Sequence, residues 1–345
     1  MILRNFHTVK LKNKQMKNKR KIFVQILAIF LCLIFFVACS PKSLHKKSER
    51  EIFDGFSVHF LDVGQGDCIF IRFSDGKNML IDCAEKDEDL SEFIVGFLKD
   101  YGVKNVDYLV LTHPDSDHTG NALSIINNFN VKKAYLPQTG EHALLYPTFS
   151  CAQTLLNEKQ VEITTSSSFI CERGDDYGFA FLSPNPAQLN DSSYDDFLSS
   201  PSPTANLSNA LSPIIYIESR GVKFVFTGDA PIAQEEIAIE NAHTNKLFYN
   251  SLGVNVDLEN VDFLKVGHHG SNDSSGSNFL GVLKPKHAVI SLHGDNNYQH
   301  PNRDVLDRLN FANPNYNLWR TDVYGTISVQ VDSAGGVEII TDKRI

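Results

Sequence analysis

The sequence predicts a single α/β domain from about residue 52 to residue 345. Strand-like apolar runs alternate with segments of helical periodicity along that whole length, and no linker interrupts them. Three of the apolar runs also end in clusters of metal-capable side chains, a coherent layout for strands that deliver ligands from their C-terminal ends.

The elements follow in order. Residues 56–61 read as a strand, closed by the turn Asp62-Val63-Gly64-Gln65-Gly66-Asp67. Residues 68–73 and 78–82 form a hairpin through Ser74-Asp75-Gly76-Lys77. Leu90, Phe93, Ile94, Phe97 and Leu98 share one face of a helix over 90–101, which Gly102 ends. Residues 106–111 are a buried strand running into Thr112-His113-Pro114-Asp115-Ser116-Asp117-His118. A helix over 121–129, a strand over 132–136 and a helix over 151–159 come next. Residues 184–213 are rich in Pro, Ser and Asn and read as a long insertion without periodicity. Strands over 213–219 and 222–227 pair around Arg220-Gly221. A strand over 261–266 leads into Gly267-His268-His269-Gly270-Ser271, and one over 288–292 into His293-Gly294-Asp295. A helix over 303–309 and a last strand over 324–331 complete the pattern.

Residues 1–39 carry the marks of an export signal. Eight Lys and Arg residues between positions 4 and 21 precede an almost uninterrupted apolar run over 22–38, which ends in a small residue, Ala38, before Cys39. The pattern resembles a bacterial lipoprotein signal with Cys39 as the lipidated N-terminus. An uncleaved signal anchor is the alternative. Either one tethers the domain to the outer side of the cytoplasmic membrane, with residues 40–51 as a polar stalk. Beyond the signal, Cys68, Cys83, Cys151 and Cys171 remain. A Cys68–Cys83 disulfide across the hairpin is one expectation and free buried thiols the other.

Of the 32 Lys and Arg residues twelve lie within 1–50, against one of the 41 acidic residues, which leaves 20 basic and 40 acidic residues beyond position 50. The folded part thus carries about −20. That balance argues against tight sequence-independent nucleic-acid binding, which needs many neutralised phosphates. It leaves room for a metal pair that touches one phosphodiester.

Imidazole nitrogen and carboxylate oxygen suit zinc and manganese, and a pair of ions needs six or more such ligands. His113, Asp115, Asp117 and His118 are dense enough to fold round one spot. His113 and Asp115 are expected on one ion, Asp117 and His118 on the other. Asp229, in Thr227-Gly228-Asp229, would bridge both, and His268 would complete the second. Asp117 alternatively orients the attacking water. Lys265, Ser271, His269 and His293 follow strand ends and are candidates for contacts to the substrate anion or leaving group. Asp62 and Asp67 could hydrogen-bond a ligand histidine.

The ordered set Asp62-Val63-Gly64-Gln65-Gly66-Asp67, Thr112 to Gly120, Thr227-Gly228-Asp229 and Leu264-Lys265-Val266-Gly267-His268-His269-Gly270-Ser271 resembles the metallo-β-lactamase-fold domain of ComEC-type competence proteins. Ser291-Leu292-His293-Gly294, Asn297-Tyr298-Gln299-His300-Pro301 and Trp319-Arg320-Thr321-Asp322 extend the likeness across about 55–332. The resemblance implies an αββα four-layer sandwich with two divalent ions at one edge, and hydrolytic activity. Asp115 stands where the broad superfamily motif has histidine, as in ComEC-like members. Segment 206–212 carries no histidine, although the wider superfamily has one in that region. The first metal site is therefore expected to be ligand-poor.

The expected function is a membrane-tethered, extracytoplasmic, metal-dependent phosphodiesterase or nuclease, using water activated by zinc or manganese. DNA or another phosphodiester would be its substrate. Hydrolysis of an envelope phosphodiester, a thioester or a β-lactam keeps the same site with another substrate. A non-catalytic metal-binding lipoprotein is the remaining alternative. With one apolar segment, the chain is not expected to form a DNA pore by itself.

Overall fold

The computed structural model describes residues 53, 55–186 and 205–343. The signal and stalk of residues 1–51, and positions 187–204 of the insertion, lie outside them. Among the described residues no helix is long and apolar enough to cross a membrane.

Two mixed sheets form the centre. The first has eight strands in the order β15-β14-β1-β2-β3-β4-β5-β6. These are β1 Phe56–Phe60, β2 Ile69–Arg72, β3 Asn78–Ile81, β4 Asn105–Val110, β5 Asn130–Leu136, β6 Glu162–Thr165, β14 Ile327–Val331 and β15 Val337–Thr341. The second runs β13-β12-β11-β10-β9-β8-β7. Its strands are β7 Cys171–Arg173, β8 Tyr177–Phe181, β9 Ile215–Ser219, β10 Val222–Phe226, β11 Phe263–Lys265, β12 His287–Ile290 and β13 Asn317–Arg320.

Alternation along the strands sorts side chains between layers. Val58, Phe60, Ile69, Ile71, Phe179, Ile217, Phe224 and Phe226 meet between the sheets. On the outer face of the first sheet, Phe70, Leu80 and Leu109 pack against Ile94 and Leu98 of helix Glu88–Asp100 and against Ile125, Phe149 and Leu156. On the outer face of the second, Val225, Leu264 and Ala288 pack against Ala238, Leu280 and Leu309. This is the αββα sandwich that the resemblance implies. Asp87 begins the first long helix by accepting the Leu90 amide at 2.9 Å, with Glu88 and Asp89 in the positive first turn.

Several local expectations need correction. Of the two expectations for Cys68 and Cys83, free thiols are the one observed, both buried in one apolar cluster. The hairpin register Ile69↔Ile81, carried one step on, sets Cys68 opposite Asp82 rather than Cys83. The strand expected over 324–331 begins at Ile327, because residues 321–324 form a helical turn ended by Gly325 at φ +71°. Nor is it the last strand, since β15 pairs outside it. Strands β6, β7, β8 and β13 had no counterpart in the sequence reading. The described end of the 184–213 insertion forms a short helix, Ala205–Asn209.

Strands β3 to β6 run parallel in the first sheet and β10 to β13 in the second. Their carboxyl ends lead into the ligand-bearing loops, where open α/β sheets commonly bind ligands.

Candidate metal centre

Each functional side chain arrives just after such a strand end. Asp82 follows β3, His113 follows β4, Asp229 follows β10, and His268 and His269 follow β11. Pro114 breaks the extended run after β4, and a helical turn over Ser116–Thr119 carries Asp117 and His118 inward. Asp115 precedes that turn in an extended conformation and accepts the Ser208 hydroxyl at 3.1 Å. Gly66, at φ +113°, lets the 62–67 turn lie on this loop: the Asp67 amide donates to the Asp117 carbonyl at 3.3 Å, and a Cβ on Gly66 would overlap that carbonyl oxygen.

The structure brings His113, Asp115, Asp117, His118, Asp229, His268 and His269 together. His118 Nε2 lies 3.4 Å from Asp229 Oδ1 and 3.8 Å from Asp117 Oδ2. His269 Nε2 lies 3.5 Å from Asp117 Oδ2 and 3.6 Å from Asp229 Oδ2. His113 Nε2 lies 3.7 Å from Asp115 Oδ2 and 3.9 Å from Asp229 Oδ2. His268 Nε2 is 3.6 Å from the same Asp229 oxygen. Asp229 is the hub.

All four histidines are set in one sense. His118 Nδ1 donates to Asp82 Oδ2 at 2.7 Å, His269 Nδ1 to the Ser291 carbonyl at 2.9 Å, and His268 Nδ1 to Asp273 Oδ1 at 2.9 Å. Thr112 Oγ1 gives its own proton to Asp82 Oδ2, so its oxygen can accept from His113 Nδ1, 3.1 Å away. Each acceptor fixes the proton on Nδ1 and turns the Nε2 lone pair inward. Nε2 of His113, His118 and His269, and Oδ1 of Asp229, are buried without a hydrogen-bond partner. Buried ring nitrogens and carboxylate oxygens that face one another without a hydrogen-bond partner are costly unless a cation, a proton or a metal ion, lies between them. Asp117, His118, Asp229 and His269 offer ligand atoms that all lie within 4.8 Å of one another. The residues fit divalent ions, and a binuclear centre is consistent with this His/Asp set.

The electrostatics describe a tightly coupled cluster. Burial opposes ionisation of Asp229 and Asp117, yet His118 and His269 outweigh it and hold both carboxyls below the usual range. Burial also opposes protonation of His118, but Asp229, Asp82 and Asp117 raise it well above an ordinary imidazole. His113, with burial and His118 acting together, is pushed down to about 3. Burial pushes Asp115 up to about 6.

The remaining candidates divide. Lys265 is buried: its Nζ lies 2.7 Å from Asp67 Oδ2 and 3.1 Å from the Val266 carbonyl, to which it donates. It sits on the last residue of β11, where pairing with Phe226 of β10 turns it under the site. The doublet is divided otherwise than the sequence suggested. His269, expected to touch substrate, lies within the Asp117–His118–Asp229 group, whereas His268 meets Asp229 from a more exposed position. His293 is exposed, its Nδ1 accepting the Asp295 amide at 3.3 Å. Ser271 is half-buried and donates its amide to the His268 carbonyl. Asp67 has Oδ1 3.9 Å from His269 Nδ1, while Asp62 pairs with Lys343. His300 meets His268 edge-on, their ring centroids 5.7 Å apart.

Sequence reasoning missed Asp82, Asp273, Ser212 and Ser291. Asp82 and Ser291 do sit directly after apolar strands, which is the available signal. Which strands lie side by side is not written in the sequence.

The chain belongs to the metallo-β-lactamase superfamily, whose family model matches residues 61–295. With its His/Asp cluster it is a metal-dependent hydrolase of that superfamily, and it is related at a distance to competence proteins. ComE operon protein 3 of Bacillus subtilis is 28% identical over 305 residues, covering 81% of this chain and 33% of that protein. Recombination protein 2 of Haemophilus influenzae is 26% identical over 302 residues, covering 87% of this chain and 30% of that protein. Competence protein ComA of Neisseria gonorrhoeae is 26% identical, covering 88% and 36%. The chain therefore spans about a third of the length of these relatives. Among solved structures, Igni18, a metallo hydrolase from Ignicoccus hospitalis, aligns over 83% of this chain and 100% of its own at 14% identity and a TM-score of 0.40.

Proposed function

We propose that this hydrolase cleaves phosphodiesters, as a nuclease or on an envelope polymer, from a position tethered outside the cytoplasmic membrane by residues 1–39. The observation that carries the proposal is Asp229, buried between two sets of inward-facing ligand atoms, an arrangement suited to a pair of ions acting on one phosphoryl group. Bound divalent ions would supply Lewis-acid activation of water and of the phosphoryl oxygen.

The chain's own residues do the rest. Asp117, His118 and His269 would hold one ion together with Asp229, and His113 with Asp115 would hold the other. Asp82 and the Ser291 carbonyl keep His118 and His269 in the tautomer that leaves Nε2 free. Asp115 and Asp117 have side chains about a quarter exposed, at 26% and 25%, while those of His113, His118 and His269 are buried. The substrate would therefore approach across the two carboxylates, with exposed Tyr298 linked to the cluster through the His300 ring beside His268. The names of the relatives, competence and recombination proteins, favour DNA. The charge of about −20 beyond position 50 favours a small or surface-bound phosphodiester instead.

The test is hydrolysis of a chromogenic phosphodiester by residues 41–345, with and without Mn²⁺ or Zn²⁺, beside Asp117→Ala. Metal-dependent turnover lost in the variant supports the reading, and DNA and choline-phosphate polymers then separate its two arms. Absence of turnover on every phosphodiester with either metal overturns it.

A further inference from the structure

The His268-His269 doublet stands on backbone that L-residues rarely adopt. His268 has φ 47° and ψ 48°, and His269 has φ 53° and ψ 22°, both left-handed. Such backbone is costly for a residue with a Cβ, and strain of this kind clusters at functional sites. Here it is imposed by the surroundings: the His268 amide donates to the Gly228 carbonyl at 3.1 Å, and the Asn302 amide to the Gly270 carbonyl at 2.8 Å. Its result is that two adjacent rings, 6.2 Å apart and nearly perpendicular, both direct Nε2 to Asp229 Oδ2 at 3.6 Å. One histidine in relaxed backbone would serve a single ion without that cost.

The two rings serve different partners. His269 Nε2 also lies 3.5 Å from Asp117 Oδ2, which places it with Asp117 and His118. His268 reaches the hub at the oxygen that His113 Nε2 approaches at 3.9 Å, and His113 in turn faces Asp115. Meanwhile segment 206–212, which carries no histidine, supports this half of the site from outside. Ser208 donates to Asp115, Ser212 Oγ lies 3.3 Å from His113 Nδ1, and buried Asn209 abuts His268 Nδ1 at 3.5 Å. Asp273 takes the His268 Nδ1 proton, the carboxylate partner usual for a metal-binding histidine.

We propose that His268 supplies the first ion with the histidine that segment 206–212 does not, so that one doublet serves both ions. The first ion is held by His113, Asp115, Asp229 and His268, and the second by Asp117, His118, Asp229 and His269. Two nitrogens and two carboxylate oxygens suit zinc or manganese. Ligand atoms about 2.1 Å from a tetrahedral ion lie roughly 3.4 Å apart, close to the 3.6 Å and 3.9 Å between Asp229 and the two histidines. The second set is already gathered within 4.8 Å. Two members of the first set, Asp115 and His268, have side chains 26% and 23% exposed, whereas in the second set only Asp117, at 25%, is comparably open. The first ion is therefore the weaker and more exchangeable of the two. This inference rests on the two-ion reading of the centre and is independent of the substrate.

The experiment counts metal in the intact chain. Metal-free protein is loaded with Zn²⁺, freed of excess by gel filtration and measured by mass spectrometry of the metal, with affinities from competition against a chelating dye. Wild type is expected to hold two equivalents. His268→Ala, His113→Ala and their double variant should each hold about one, whereas His268→Ala/His269→Ala should hold none. Asp273→Asn leaves the ring in place and should weaken the same single equivalent at least tenfold, which keeps the test usable if His268→Ala fails to fold. Two equivalents at wild-type affinity in His268→Ala would overturn the proposal. So would zero equivalents in His113→Ala/His268→Ala with one retained in His268→Ala/His269→Ala, or a single equivalent in wild type. Two equivalents without phosphodiester turnover would sink the substrate reading and leave this one standing.

Discussion

Lys265→Met tests whether that lysine acts as a buried structural charge or as a substrate contact. Lys265 Nζ and Asp67 Oδ2 are 2.7 Å apart, and both side chains are at most 1% exposed. At an effective dielectric near 20 their attraction is about 6 kcal/mol, offset by a desolvation cost of several kcal/mol for each ion. The pair as a whole therefore adds little. Removing one partner strands the other: Asp67, whose Oδ1 already has no hydrogen-bond partner, would lose the cation that its Oδ2 faces. Lys265→Met should cost about 3–5 kcal/mol of unfolding free energy. Lys265→Met/Asp67→Asn should recover most of that, giving a coupling energy of at least about 2 kcal/mol. Urea denaturation of the metal-free protein reads both quantities. A single-variant loss under about 1 kcal/mol, together with a raised KM, would refute the buried-pair argument and restore Lys265 to the substrate.

Three further outcomes follow from the same geometry. Asp82→Ala removes the acceptor that orients His118 Nδ1 and should weaken metal binding by about 10–100-fold in calorimetric titration; wild-type affinity would discount this orienting role. Gly66→Ala places a Cβ on the Asp117 carbonyl at φ +113° and should lower stability by about 1–3 kcal/mol with loss of metal affinity. An unchanged melting temperature would contradict it. His118 and, to a lesser degree, His268 hold their protons above the ordinary imidazole range in the metal-free cluster, because surrounding carboxylates outweigh burial. A proton bound to the ligand competes with the ion, so affinity should rise with pH through and above the ordinary imidazole range. Titrations at pH 7 in buffers of different ionisation enthalpy should show proton release, and none would refute the assignment.

How much was legible in the sequence depends on where each signal resides. The helix over Glu88–Asp100 was readable because its apolar spacing and its closing glycine lie within one local stretch, although sequence reasoning missed its Asp87 cap and expected the start at Leu90. Strands β4, β9 and β10 were readable as apolar runs bounded by turns, and the cluster after β4 announced itself by density. Strand β7 is three residues long, while β13 and β15 are edge strands without buried alternation, so no periodicity marks them. Strand β8, fully buried Tyr177–Phe181, is an unbroken apolar run of the kind that periodicity cannot type.

The sequence by itself determined the ligand types, their grouping on three chain segments and the superfamily that such a set defines. Tertiary structure decided which ring serves which partner. His268 and His269 are chemically identical neighbours, and left-handed backbone together with Asp273 and Ser291 separates their roles. It also decided that Lys265 is a buried counterion, because Asp67, some two hundred positions earlier, is folded onto it. Composition and spacing record which groups a chain carries. Coulomb energy and desolvation depend on what surrounds each group, and that is set when the ends of two sheets meet.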